Sequence, residues 1–422
     1  MSEKLQPVRG THDLLPEDFA RHEYITQTAQ RIASLYGYAR MDTPIFEFSE
    51  VFHRAVGETS DIVSKETYTF TDRGGESLTL RPEFTAAIVR AFVSNGLQQN
   101  VPFKCFYAGP AFRYERPQKG RMRQFHQIGC ELLGAAQPVA DVEMIALAAQ
   151  TLRELGLADA VTLELNSLGD AESRGAYRAA LVEYLTRYEK ELSAESQTRL
   201  SKNPLRILDS KSEADKKITG GAPKLEDYFT PAARDFFARV TEGLARLNIP
   251  YRLNSTLVRG LDYYNHTVFE FTTDKLGAQG TVLAGGRYDG LVGLMGGNDT
   301  PGIGFAAGVE RLVGLREALG LAHAPAAMAQ LAVVPVEEAA DAAAWELAET
   351  LRQEGLPVEI AYHGNAGKRL KRADKLGCRF ALLMGEEELA KASVMVKNLA
   401  DGTQAAVARA ELVAWLKERI TR

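Results

Sequence analysis

The 422-residue sequence predicts an α+β first domain built on an antiparallel sheet and carrying a helical insertion, followed by a C-terminal α/β domain. Three observations predict this. Strand-like runs in the first part are joined by hairpin signals, which impose antiparallel pairing. The stretch 170–230 is charged, polar and helical in character. Beyond residue 330 short apolar strands alternate with helical segments, the pattern of a mostly parallel sheet. The expected boundaries are therefore 1–169 with 231–322 for the first domain, 170–230 for the insertion and 330–422 for the last domain.

Each element has a local reason. Residues 17–36 have amphipathic spacing and stop near Gly37, which predicts a helix. Ala39–Phe48 reads as one strand entered past Pro44, a residue suited to a strand start or an edge. Thr67–Thr71 and Ser77–Arg81 flank the turn Asp72-Arg-Gly-Gly75. Lys104–Leu133 reads as two long strands around a polar loop. Centring that loop near Gly120 sets Arg113 opposite Gln127 and Gly109 opposite Glu131. A helix is expected over 139–156 and another, charged, over 171–193, while 194–224 is polar with few apolar periods. Strand signals resume at Tyr251 and continue through Phe271 and Thr281–Ala284. A helix from about Phe305 to Leu319 would align Phe305, Gly308, Val309, Leu312, Leu315 and Leu319.

Gly320–Met328 reads as a linker. After it come a strand at Leu331–Val336, a helix over 337–354, a strand at Leu356–Ala361 and a basic helix over 366–376. Then follow a strand at Arg379–Met384, a hairpin of Ser393–Leu399 with Gln404–Val407 around Asp401-Gly402, and a last helix over 409–421.

Composition narrows the function. The chain is 45% hydrophobic and 25% charged, ordinary for a soluble enzyme. A net charge of −5 leaves no global field for nucleic acid, so any such partner is met by local patches. The three cysteines form no CxxC pair, which suits a reducing compartment. The N-terminus lacks the apolar core of a signal peptide, and no apolar run reaches membrane-spanning length, so a cytoplasmic protein without a membrane partner is expected. Neither a G-x-x-x-x-G-K-[ST] loop nor an HExxH or Gly-x-Ser-x-Gly motif is present, and the seven histidines show no metal-binding spacing.

The 104–133 hairpin carries the densest chemistry. Alternation places Tyr107, Gly109, Ala111, Arg113 and Glu115 on one face, with Phe125, Gln127, Gly129 and Glu131 beside them. An arginine, an amide and a carboxylate with glycines leaving room above them form a ligand platform; a solvated face with a charged loop is the alternative. The loop 113–123 sets five cations against one acid, a composition suited to phosphates. Glu83 and Thr85 could hold an ammonium group, though Pro-Glu at a helix start is also a routine capping arrangement. Leu257–Tyr264 joins a cation to two tyrosines before an apolar strand, and a plain aromatic hairpin is its bland reading. Ala284–Gly290 is a glycine-rich segment holding Tyr288, and it does not match G-x-G-x-x-G. Arg311, just off its helix stripe, would by itself be solvated. Lys368, Arg369, Lys371, Arg372 and Lys375 make a basic helix on an otherwise acidic chain.

Together these segments resemble the histidyl-tRNA synthetases, class II aminoacyl-tRNA synthetases. Thr43-Pro-Ile-Phe46, Phe112–Gln127 and Pro301–Leu312 are similar to the three class motifs, and Arg259-Gly-Leu-Asp-Tyr-Tyr264 and Ala284–Leu291 to the histidine-specific signatures. The resemblance runs from about residue 5 to the C-terminus. It implies a class II catalytic sheet, an insertion that contacts the tRNA acceptor arm, an anticodon-binding C-terminal domain and a homodimer. It implies ATP as a substrate with Mg²⁺ riding on its phosphates, no protein-only metal cage, and partners L-histidine and histidine tRNA.

Carried onto this sequence, the resemblance makes Arg259, Arg113 and Gln127 the catalytic residues. Glu83 and Thr85 would hold the α-amino group and Gln127 would sit near the carboxylate, with Arg113 and Arg259 also beside the amino acid. Glu131 and Tyr264 would read the imidazole, and Tyr263 and Tyr288 would line the pocket. Arg113 would take the α-phosphate, Arg121 and Arg311 the outer phosphates, and Glu115 belongs to the ATP side. Arg259 would stabilise charge on the α-phosphate. Arg116, Lys119, Arg123, Lys368, Arg369 and Lys371 would meet tRNA. Phe84 departs from the family, where a smaller residue is expected.

Two other readings exist. A synthetase-like regulatory subunit of histidine biosynthesis would lack the anticodon domain and degrade the Arg259 signature. An uncharged-tRNA sensor would need an output domain for which the length leaves no room.

Overall fold

The computed structural model describes residues 4–56, 66–118, 120–208, 210, 212–258, 263–277, 280–321 and 330–420. The chain divides into two compact units, Met1–Ala324 and Pro325–Arg422. The expected linker lies almost wholly outside the described residues.

The first unit is organised by an eight-stranded sheet. Its strands run, in spatial order, Ala39–Arg40, Phe103–Phe112, Gln124–Leu133, Gly302–Gly308, Thr281–Arg287, Asn265–Thr272, Thr162–Ser167 and Arg252–Leu253. All pairings are antiparallel except the two at the edges, where two-residue strands pair in parallel. Alternation divides the Gln124–Leu133 strand cleanly. Ile128, Cys130 and Leu132 enter a large core with Phe106, under the helices Pro16–Leu35, Pro138–Glu154, Pro231–Arg246 and Val309–Ala318. Gln127, Gly129 and Glu131 therefore face the other way. A separate three-stranded antiparallel sheet, Phe46–Phe48, Ser77–Leu80 and Tyr68–Thr71, leads into the helix Thr85–Ser94.

Several expectations are corrected. Ala39–Phe48 is not one strand: its two ends belong to different sheets, separated at Pro44, which has no N–H for a ladder. In the long hairpin Gly109 faces Gln127 and Cys105 faces Glu131, a register four residues from the expected one. The cause is at the loop, which closes where the Arg113 N–H donates to the Arg123 carbonyl (2.9 Å), so its centre lies near Gln118 and not Gly120. An even shift preserves the faces and changes only the partners. Gly302–Gly308 is a strand rather than the start of a helix, so Phe305 and Gly308 leave the proposed stripe. Its glycines and alanines suit a strand pressed between two neighbours. Gly285, Gly286 and Arg287 likewise belong to a strand. The strand Thr162–Ser167 and the helix Pro231–Arg246 complete this unit without having been read from the sequence.

Residues 170–230 hold the helices Ala171–Thr186, Ala194–Lys202 and Glu213–Thr219. They pack on their own small core of Tyr177, Leu181, Leu185, Leu192, Leu200, Ile207 and Ile218. Asp215 ties this segment together by accepting from Ser193, Ser196 and Ser210 hydroxyls.

The second unit has a five-stranded sheet in the order Val358–Ile360, Leu331–Pro335, Phe380–Met384, Ser393–Asn398 and Gln404–Ala408. Its first three strands are parallel and the last two join by antiparallel pairing, so the sheet is mixed rather than mostly parallel. The helices Asp341–Gln353 and Leu412–Ile420 cover one face of its core. Among the described residues no helix of either unit is long and apolar enough to cross a membrane.

Candidate active site

One cavity of about 390 Å³ opens on the sheet face that carries Gln127. Its lining includes Glu83, Thr85, Arg113, Glu115, Arg121, Gln127, Tyr263, Tyr264 and Arg311, residues separated by more than two hundred positions in sequence. Two ends of different chemistry can be distinguished.

The first end is cationic. Arg113 leaves the strand end with its Nε donating to the Pro82 carbonyl (2.9 Å). Arg121 pairs with Glu115 at 3.0 Å, and Glu115 also lies 3.9 Å from Arg113. Arg311 is not solvated: its Nη1 donates to the Thr281 carbonyl (2.7 Å) and its Nε to Gly120 (3.2 Å). Burial, then the charge of Arg121, pulls the Arg311 guanidinium below the usual arginine range. Three guanidiniums, two held by backbone carbonyls and Arg121 by the Glu115 carboxylate, form a fixed anion site, and like charges this close favour a polyanionic ligand.

The second end is lined by the hydroxyl-bearing Thr85, Tyr107, Tyr263 and Tyr264, with a carboxyl behind them. Glu131 is 1% exposed and is not part of the cavity lining; it lies behind Thr85 and Tyr107, which are. It accepts from Thr85 Oγ1 (2.7 Å) and from the Tyr288 hydroxyl, with Tyr107 Oη at 3.4 Å. Burial raises its pKa to about 8 in spite of those three donors. Tyr263 and Tyr264 stand over this end with ring centroids 4.6 Å apart, and Tyr263 meets Tyr288 edge-on at 5.7 Å. Tyr288, itself 1% exposed, is not part of the lining either; it packs behind Tyr263 and bonds Glu131. The buried Arg287–Asp141 pair, with Asp289 also on Arg287, fixes the backbone just before and after Tyr288. Glycine makes room for all this: a Cβ on Gly304 would overlap Glu131 Oε2, and one on Gly129 would overlap the Tyr107 ring.

Between the two ends, Gln127 Oε1 is buried and has no hydrogen-bond partner among the described residues, an acceptor left for a ligand. Glu83 performs the capping role considered for it. Its carboxylate accepts from the Thr85 and Ala86 N–H groups (2.7 and 2.8 Å) at the start of the Thr85–Ser94 helix, while still facing the cavity. Phe84 is completely buried between the Arg81 guanidinium (3.8 Å to its ring) and the stacked Tyr107 ring (4.4 Å).

Arg259 and Lys119 lie outside the described residues. Of the residues expected to meet tRNA, Arg116 is exposed and Arg123 stacks over Tyr114 at 4.1 Å. In the second unit Lys368 and Lys371 are exposed, but Arg369 is a strut. Its side chain is 10% exposed and its Nη1 donates to the Pro335 carbonyl (2.9 Å) and Asp341 (3.0 Å), so it does not belong with the free cations.

Sequence reading missed Glu270 and Glu310, which also line the cavity. A lone acid within the apolar run Val268-Phe-Glu-Phe271 was the available signal for the first. Glu310 accepts from the backbone N–H of His126 (2.9 Å) and pairs with its Nδ1 (2.9 Å). His22 joins them, bringing one ligand atom of each residue within 4.8 Å of the others. The hydrogen bonds account for the His126–Glu310 contact without an ion.

A mostly antiparallel sheet flanked by helices, with an arginine-lined anion end beside a small polar pocket, defines the class II aminoacyl-tRNA synthetase architecture. Comparison with known proteins narrows this. A model of the family described as histidyl-tRNA synthetase matches residues 10–312, and one described as anticodon binding domain matches 330–419. The histidine–tRNA ligase of Rhodospirillum rubrum is 55% identical over 412 residues, 98% of each chain. That of Gluconacetobacter diazotrophicus is 56% identical over 404 residues, 96% of each chain. The crystal structure of apo S. aureus histidyl-tRNA synthetase superposes with a TM-score of 0.84 at 34% identity, covering 98% of this chain and 100% of that one. This chain belongs to the histidyl-tRNA synthetase family.

Proposed function

We propose that this protein ligates L-histidine to its cognate tRNA in two steps. The histidine carboxylate attacks the α-phosphorus of ATP, forming histidyl-adenylate and expelling pyrophosphate. A terminal ribose hydroxyl of the tRNA then attacks the activated carbonyl and AMP leaves. The observation that carries this reading is the joining, in one cavity, of the three-arginine end to the end lined by Thr85, Tyr263 and Tyr264, with Glu131 bonded to Thr85 behind it. In-line transfer of this kind requires positioning and charge stabilisation more than a protein base.

Within this reading Arg113 takes the α-phosphate and Arg121 and Arg311 the outer phosphates, with Arg259 supplying charge at the attacked phosphorus. Gln127 lies between the amino acid and the α-phosphate. Glu83 and Thr85 hold the α-amino group, and Glu131 with Tyr264 reads the imidazole, backed by Tyr263 and Tyr288. Glu115 orients the guanidiniums around it. A buried site that pairs both ring nitrogens discriminates against analogues by roughly 10⁴ or more, since a misfit leaves polar groups unpaired. Mg²⁺ would neutralise charge on the phosphates, and the carboxylates of Glu115 and Glu270 on the same cavity suit such a hard cation.

The segment 170–230 is assigned to the tRNA acceptor arm and 330–422 to the anticodon. A homodimer accords with the three-stranded sheet, on which Phe46, Phe48 and Phe70 are 52%, 57% and 45% exposed and share one face with Leu78 and Leu80. Three free, buried cysteines accord with a cytoplasmic location.

The test is pyrophosphate exchange into ATP with each of the twenty amino acids. Exchange is expected with histidine alone; no exchange with any of them would reject the enzyme and favour a regulatory role.

A further inference from the structure

The two ends of the 170–230 segment are knotted together, and a residue next to the knot reaches the active-site wall. Asp170 caps the helix Ala171–Thr186 by accepting from the Ser173 N–H (2.8 Å). Its second oxygen accepts from the Thr230 hydroxyl, and the Thr230 N–H donates to the buried Ser173 Oγ (3.0 Å). Thr230 in turn caps the helix Pro231–Arg246. Entry and exit of the segment thus share three side chains. The same turn is stitched to the catalytic sheet, where the His266 N–H donates to the Gly169 carbonyl (2.9 Å) and the Leu168 N–H to the His266 carbonyl (2.6 Å).

From the first turn of that helix Arg174 extends toward the cavity wall, and its Nη1 donates to the Tyr264 carbonyl at 2.7 Å. A charged donor to a partly buried carbonyl is among the stronger hydrogen bonds. Its acceptor is well placed to matter. Tyr264 is the last residue before the strand Asn265–Thr272, and its ring packs so tightly over Gly286 that a Cβ there would lie 2.8 Å from Tyr264 Cδ1. Fixing the carbonyl fixes the peptide plane that carries the Tyr264 Cα and so its ring, against which the Tyr263 ring packs with centroids 4.6 Å apart.

The geometry points to Arg174 as a positioning residue for the amino-acid end of the cavity, joining the 170–230 segment mechanically to the tyrosine wall. The inference rests on Tyr264 reading the amino acid, as proposed above. Arg174 touches no substrate itself. It sets where the Tyr263–Tyr264 wall stands, so its loss should weaken histidine binding and spare the arginine-lined ATP end.

Two measurements on the full-length protein decide this. In histidine-dependent pyrophosphate exchange, Arg174→Ala should raise KM for histidine about tenfold or more while leaving KM for ATP within about twofold. Arg174→Lys, whose ammonium can donate to the same carbonyl, should recover most of that loss. An unchanged histidine KM, equal rises for both substrates, or a lysine variant no better than alanine would overturn the assignment. Should the alanine variant fail to fold, Arg174→Met, which keeps the length of the side chain and lacks the donor, takes its place on the same two KM values. Separately, hydrogen–deuterium exchange of peptides over 263–272 should speed up in Arg174→Ala, and unaltered protection there would overturn it too. That second readout needs no activity, so a parent protein inactive in exchange rejects the proposed function without touching the contact.

Discussion

At the scale of single residues, Glu131 has the most unusual environment in the site. Its pKa near 8 comes first from burial, which three hydroxyl donors only partly offset. The ligand-free carboxyl is therefore mostly protonated at neutral pH. Because the folded value lies above the unfolded one, the associated stability is fully present below the unfolded pKa and is lost as pH rises through about 8. The unfolding free energy of the parent, measured in urea against Glu131→Gln, should fall by a few kcal/mol relative to the variant between about pH 5 and about pH 9. A pH-independent difference would show that the carboxyl titrates normally. Phe84, unexpected in its family position, also finds its reason here: it fills the gap between Arg81 and Tyr107 and so braces the floor under Glu131.

At the scale of elements, the site depends on how closely strands can approach. The Gly302–Gly308 strand passes Glu131 with no space for a side chain at Gly304. Gly304→Ala should push Glu131 or the strand aside, and displacements on the order of 1 Å in an active site typically cost about a hundredfold in rate. A loss of that size in kcat/KM for histidine is expected, with tRNA affinity retained. Near-parental kinetics would show that the floor yields more readily than its packing implies. The same strand explains a misreading. Its glycines and phenylalanine fit a helical stripe as a string of letters, and only pairing with strands on both sides reveals the extended form. The hairpin register is similar: side-chain parity was legible and identified the face on which the cavity opens, whereas the cross-strand partners depended on where the loop closes.

At the scale of the whole molecule, an acidic chain must meet an acidic partner through local surfaces. The helix Ala366–Lys375 offers Lys368 and Lys371 to solvent while Arg369 is engaged internally. Replacing Lys368 and Lys371 by Ala should weaken tRNA binding several-fold and lower its salt dependence by roughly 0.7–0.9 per lost phosphate contact. Histidine-dependent pyrophosphate exchange should be unaffected, since that chemistry belongs to the other unit. An unchanged salt slope would mark this helix as simply solvated.

The sequence by itself determined the two-part architecture, the antiparallel character of the first sheet, the polar face of the long hairpin and the family to which the motifs belong. These are local properties, since periodicity, turn chemistry and spacing act over a few residues. Tertiary structure decided which of the singled-out groups meet: that Arg311 leaves solvent for the cavity, that Thr85 and Tyr288 bond Glu131, that Arg369 is a strut, and that Arg174 grips Tyr264. Each of those contacts joins positions between 30 and 157 residues apart. Side chains brought together over such distances are set by how strands stack and helices dock, and no pattern within a short window of sequence encodes that.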